Sequence, residues 1–158
     1  MKTFNDNAGR TWTVTVNVDA IKRVKSLLSV NLMEAVEGKL LERLVSDPVL
    51  LCDVIYAVCK PEADAKGVSD EDFGRSMAGD AIDLATTAML EELCDFFPIG
   101  RRTLLRKALV KLRKLESMVL AAAEARLESP EIERQLRETI AGGSVGSLPG
   151  SSESTQAR

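Results

Sequence analysis

The chain has 158 residues, of which 45% are apolar and 28% charged, the balance of an ordinary globular protein. That length suits one domain burying about 70% of its unfolded surface. The net charge of −3 gives the whole chain no reason to seek polyanions, and the absence of histidine removes the commonest general base near neutral pH.

The opening Met1-Lys2-Thr3-Phe4-Asn5-Asp6 is polar and no apolar core of a secretory leader follows it. The longest apolar runs are six residues, Val54–Cys59 and Met118–Ala123, against roughly 20 for a membrane span. Cys52, Cys59 and Cys94 all fall in apolar helical stretches, so buried thiols in a reducing compartment are expected. Without histidine or closely paired cysteines, no metal site is expected.

Taken in chain order, Trp12, Val14, Val16 and Val18 alternate with Thr11, Thr13, Thr15 and Asn17, the period of a strand with one buried face. Asn5-Asp6-Asn7-Ala8-Gly9 is turn chemistry, which makes residues 2–4 the partner strand of a hairpin over 2–18. Two strands alone are marginal in water, so the apolar face must cover a helix or meet another copy. A free edge is then open to strand addition.

Asp19 is the expected N-cap of a helix through Leu28, with Ile21, Val24, Leu27 and Leu28 inward and Lys22, Arg23 and Lys25 outward. A second helix is expected over Leu32–Val45. Asp47-Pro48 starts a third, largely apolar helix ending near Lys60, with Pro61–Val68 as a loop. Ser69-Asp70-Glu71-Asp72 is a capping pattern for a helix to about Met77, and another runs from Ala81 to Phe97 before Pro98. A long amphipathic helix follows over 101–128, with Leu104, Leu105, Ala108, Leu112, Leu115, Val119 and Ala122 as its stripe. Ser129-Pro130 opens a last helix to about Ile140, and the Gly/Ser-rich 141–158 reads as a disordered tail. The fold expected is therefore mainly α (α+β): a short N-terminal hairpin, then about five or six helices, in one domain over 1–140.

Chemistry is sparse. Asp70, Glu71 and Asp72 are accounted for by a helix first turn, and Asp80, Asp83, Glu91, Glu92 and Asp95 by a solvated acidic face. The glycines fit neither a phosphate loop nor a dinucleotide fingerprint. A non-enzymatic protein with no cofactor is the reading. The sharpest polar feature is the acid-free run of Arg101, Arg102, Arg106, Lys107, Lys111, Arg113 and Lys114. It reads as a basic face for an anionic partner, or as the mate of the acidic helix at 80–95. A protein contact is favoured over nucleic acid, since no aromatic residue is interleaved for base stacking. Phe96 and Phe97, adjacent at a helix end, cannot both easily point inward, so one is a candidate anchor for a partner's pocket.

The order of "GRTWTVTV", "AIKRVKSLL", "SDPVLLCDVIYAVC", "KPEADAKGVSDEDFGRSM" and "LEELCDFFP" resembles tail assembly chaperones of long-tailed phages, prophages and gene transfer agents, over residues 4–97. That resemblance implies a helical, non-enzymatic factor of the bacterial host cytoplasm. Its partners would be the tape measure protein and tail tube subunits, with self-association through the hairpin or the long helix. Such families often make a frameshifted longer product, whose junction the tail would suit, with Gly142-Gly143 a place to look for it. The basic helix at 101–128 departs from the family pattern. The competing readings are a nucleic-acid-binding accessory using 101–114 and a structural tail connector.

Overall fold

The computed structural model describes residues 1–142. They form an antiparallel hairpin followed by helices, mainly α with a small β part. Strand β1 (Lys2–Asn5) pairs with β2 (Thr11–Val14), Phe4 opposite Trp12. Phe4, Trp12, Val14 and Val16 are buried, as the alternation requires. Val18 is exposed because the strand has ended and α1 (Val18–Leu28) has begun. The cap of α1 is Asn17, whose side chain accepts from the Ala20 amide at 2.9 Å, rather than Asp19.

The turn of the hairpin is organised by one carboxylate. Asp6 is buried, and its Oδ1 accepts from the Ala8 and Arg10 amides at 3.0 and 2.9 Å. Its Oδ2 accepts from Arg10 Nε at 2.7 Å and Trp12 Nε1 at 2.8 Å. The Ser76 hydroxyl lies 3.1 Å from Oδ2 and 2.7 Å from the Phe73 carbonyl, and accepts from Arg10 Nη2 at 2.8 Å. Asn7 extends the junction, its amide donating to Ser76 O at 3.0 Å and its Nδ2 to Ala78 O at 2.9 Å. The turn is thereby latched to the end of α4 (Asp70–Arg75), some 66 residues along the chain from Arg10. Burial alone would raise the Asp6 carboxyl, but these hydrogen bonds to its charged form bring it down from 3.8 to about 2.

The outer edge of β2 is occupied. Thr13 N donates to Glu62 Oε2 at 2.9 Å, Cys59 Sγ lies 3.5 Å from Thr13 O, and Lys66 Nζ donates to Thr11 O. All three side chains come from α3 (Pro48–Lys66), which covers this edge of β2 against strand addition.

The span expected to be one helix at 32–45 is divided. A 3-10 helix covers Leu32–Glu37, Gly38 follows at φ +82°, and α2 covers Lys39–Ser46. Glycine tolerates that left-handed conformation, so the helical register is lost there. At α3 the deviation is the reverse. The helix runs through Pro61 to Lys66 instead of stopping at Lys60. Proline removes the donor that would bond the Ala57 carbonyl. Arg23 of α1 supplies the replacement, its Nη1 donating to Ala57 O at 3.1 Å and Val58 O at 2.9 Å. Arg23 is thus half-buried rather than solvent-facing. Leu51, Val54, Ile55, Ala57, Val58 and Ala63 bury α3 at the centre of the core.

Helices α5 (Asp80–Phe96), α6 (Ile99–Leu127) and α7 (Pro130–Gly142) complete the described residues. The chain divides into two compact units, Met1–Lys114 and a second beginning at Leu115. Within the first, Leu105 and Leu109 of α6 are buried. In the described part of the second, 115–142, no residue is buried; Ser129 Oγ caps α7 through the Ile132 amide at 3.4 Å and Arg137 pairs with Glu133 at 2.6 Å. The tail expected over 141–158 falls outside the described residues from 143 onward.

Two outcomes follow. Asp6→Ala strands the Trp12 and Arg10 donors and is expected to cost about 3–5 kcal/mol in chemical denaturation. The folded carboxyl of Asp6 sits below its unfolded value, so its stabilisation is complete above about pH 4 and lost as pH falls toward about 2; an acid titration of stability should show about 2 kcal/mol disappearing in that window, and Asp6→Asn should lack that step. Separately, Arg23→Ala leaves the Ala57 carbonyl unpartnered and is expected to cost about 1–3 kcal/mol. In a Pro61→Ala background the restored amide should bond that carbonyl, so a double-mutant cycle should show the Arg23 penalty shrink.

Candidate functional site

The residues singled out in the sequence separate into two groups on α6. Of the expected stripe, Leu105 and Leu112 face the core together with Leu109, whereas Leu104 and Leu115 are 57% and 49% exposed. At about 100° per residue, Arg102, Arg106 and Arg113 flank one side of that buried line. All three engage α5. Arg102 donates to Asp95 O at 2.8 Å and Phe97 O at 3.2 Å, satisfying carbonyls at the end of α5. Arg106 pairs with Asp95, and Arg113 Nη2 reaches Thr87 Oγ1 at 3.2 Å. Arg101, Lys107, Lys111 and Lys114 are exposed, with no ion pair among the described residues. The continuous basic face is therefore a smaller patch of four cations.

Phe97 is 1% exposed and belongs to the core, so it offers nothing to a partner. Phe96 is half-buried and meets Phe97 edge-on, ring centroids 5.4 Å apart. Glu92, read as part of a solvated face, is buried, with the Met1 amino nitrogen 2.6 Å from its Oε2.

A different feature emerges where α3, α4 and α5 begin or end. Pro48, Val49, Cys52, Phe73, Met77 and Ile82 line an open, mainly apolar groove of about 320 Å³. Its floor is Phe73, 1% exposed, which meets Trp12 edge-on at 5.1 Å and Tyr56 at 5.4 Å. Tyr56 is held by its hydroxyl donating to Val68 O at 3.2 Å. Trp12 is fixed by Asp6 on one side, with Lys66 Nζ 4.8 Å from the ring centroid. The floor is therefore rigidly backed, while the wall includes Val49, 70% exposed.

Two carboxylates, Asp53 and Asp70, share the lining, and Asp47 stands nearby as the cap of α3, accepting from Val49 N at 3.1 Å and Leu50 N at 3.0 Å. None of the three has an ion pair among the described residues. Burial first, then the charges of Asp70 and Asp47, push the Asp53 carboxyl up. Cys52 is half-buried in the same lining, unlike the buried Cys59 and Cys94, and burial raises all three thiols, Cys59 to about 12. These thiols are poor nucleophiles. Gly74 also lines the groove, and a Cβ added there would meet nothing within 4 Å.

Such an arrangement covers an apolar side-chain row and offers negative charge beside it; it holds no converging nucleophile and base. No group of three or more potential metal ligands occurs among the described residues, and no described helix is long and apolar enough to cross a membrane. Sequence reasoning did not locate the groove. Its one signal was Asp53, a lone acid within the apolar run "VLLCDVIYAVC". Comparison of the chain with family models, curated proteins and solved structures finds no match.

The raised Asp53 carboxyl has the opposite sign to Asp6. A folded value above the unfolded one means that ionisation costs native stability as pH rises through the carboxylate range. Asp53→Asn is therefore expected to raise the melting temperature near neutral pH and leave it unchanged in acid, as thermal melts at the two conditions would show.

Proposed function

We propose that this chain is a non-enzymatic interaction protein, a tail assembly chaperone of a long-tailed phage or prophage. In this reading it works in the bacterial host cytoplasm, holding an amphipathic helix of the tape measure protein in the α3–α4–α5 groove and aiding addition of tail tube subunits. The observation that carries the reading is the groove itself, apolar along Val49, Cys52, Met77 and Ile82 and open over a rigid Phe73 floor. An amphipathic client helix presents residues at i, i+3, i+4 and i+7, the spacing that fills such a groove. Each Leu or Val so covered contributes about 1.5–3 kcal/mol. The resemblance over 4–97 supports the choice of client, because the segments that build the groove fall within it.

Readings based on the basic helix are less well supported. Arg102, Arg106 and Arg113 are spent on α5, which leaves Arg101, Lys107, Lys111 and Lys114 for a nucleic acid. Fewer phosphate contacts mean weaker binding with a shallower salt dependence.

Co-expression with a tape measure protein is expected to keep that client soluble as a complex. Gly74→Trp, at a lining position where an added Cβ meets nothing within 4 Å, should abolish rescue, with a thermal melt to report that the fold is intact. A client equally soluble without this chain, or rescued equally by Gly74→Trp, would refute the reading.

A further inference from the structure

The charge around the groove identifies the kind of helix it accepts. Asp53 and Asp70 lie in the lining itself, and Asp47 is close enough to act on Asp53. Arg75 of α4 and Lys60 of α3 are paired with other acids, Arg75 with Glu71 and Asp72 and Lys60 with Asp64. The charges of Asp70 and Asp47 act unfavourably on Asp53 beside a mainly apolar surface, and none of the three carboxylates has an ion pair among the described residues. An apolar groove serving any hydrophobic helix has no need of such a rim, which costs stability in the free protein. Exposed like charges of this kind act by excluding partners of the same sign and steering those of the opposite sign.

We propose that the partner seated in the α3–α4–α5 groove is a cationic amphipathic helix, whose apolar stripe packs on Phe73, Met77 and Ile82 while flanking Lys or Arg side chains pair with Asp53 and Asp70. The inference rests on the groove being a helix-docking site and adds the sign of charge beside the stripe. Covering the groove also strengthens each pair, because the carboxylates lose water as the cation arrives. Long Lys and Arg stems fit this place, lying along apolar surface while their heads reach a rim. A glutamate-flanked helix of identical stripe meets the same floor but places like charges together.

The test uses the full chain and two designed helical peptides with the same leucine stripe, one flanked by lysine and the other by glutamate. Fluorescence anisotropy at low salt should show the lysine peptide binding on the order of tenfold more tightly, two rim pairs supplying the difference. The preference should shrink at high salt and vanish in Asp53→Asn/Asp70→Asn, whose thermal melt reports that the fold is intact. Equal affinity for the two peptides would overturn the charge assignment while leaving the groove a docking site. Binding of neither would overturn both. Lysine-peptide binding that survives Gly74→Trp would place the contact elsewhere and overturn the assignment, as would displacement of that peptide by a second copy of the chain acting through Lys107 and Lys111.

Discussion

The buried carboxylate of Asp6 is the constraint on which the rest of the first unit depends. Five donors converge on it from the turn backbone, Arg10, Trp12 and Ser76. A charge so deeply placed is tolerable only with this degree of satisfaction, since a buried ion with an open site is strongly destabilising. Its hydrogen bonds join a local turn to α4, so the hairpin is not an appendage. A two-stranded ribbon, marginal by itself, becomes a fixed part of a helical core.

From that point the consequences run outward to the candidate site. Asp6 sets the Trp12 indole, Trp12 and Tyr56 buttress the Phe73 ring, and Phe73 floors the groove. The strand face that began as a question of burial thus becomes the backing of the groove. Rigidity there has a functional meaning in the proposed reading: a preformed floor loses little side-chain entropy when a helix settles on it. The rim has the opposite character, with Asp53 and Asp70 held in a mutually unfavourable arrangement in the free protein. Stability concentrated in the floor and its lack at the rim are what separate this groove from ordinary surface relief.

Much of the fold was legible because it rests on local chemistry. Alternation placed Trp12 and Val14 inside, Ser69 capped α4 through the Asp72 amide, and Asp47-Pro48 opened α3. What was not legible depended on partners distant in sequence. Pro61 has the local signature of a helix end, and only Arg23, 34 residues before Ala57, makes continuation possible. Gly38 carries no local mark that distinguishes a tolerated helical glycine from a break. On α6 the heptad-like leucines allow two neighbouring stripes, and tertiary packing selected Leu105 and Leu109 over Leu104 and Leu115. The candidate site was the least legible part. Its lining comes from three helices, and among those residues Asp53 alone broke a pattern. The basic run drew attention by composition, yet three of its seven cations engage α5.

Hydrogen–deuterium exchange on the full chain, free and in complex with the co-expressed helical client, tests the central claim most directly. Protection is expected to rise over α4, the first turns of α3 and the start of α5, where slow exchange in the free protein is limited to amides of the core. Unchanged exchange in those three segments, with new protection confined to 115–142 or to the exposed face of α6, would contradict the account.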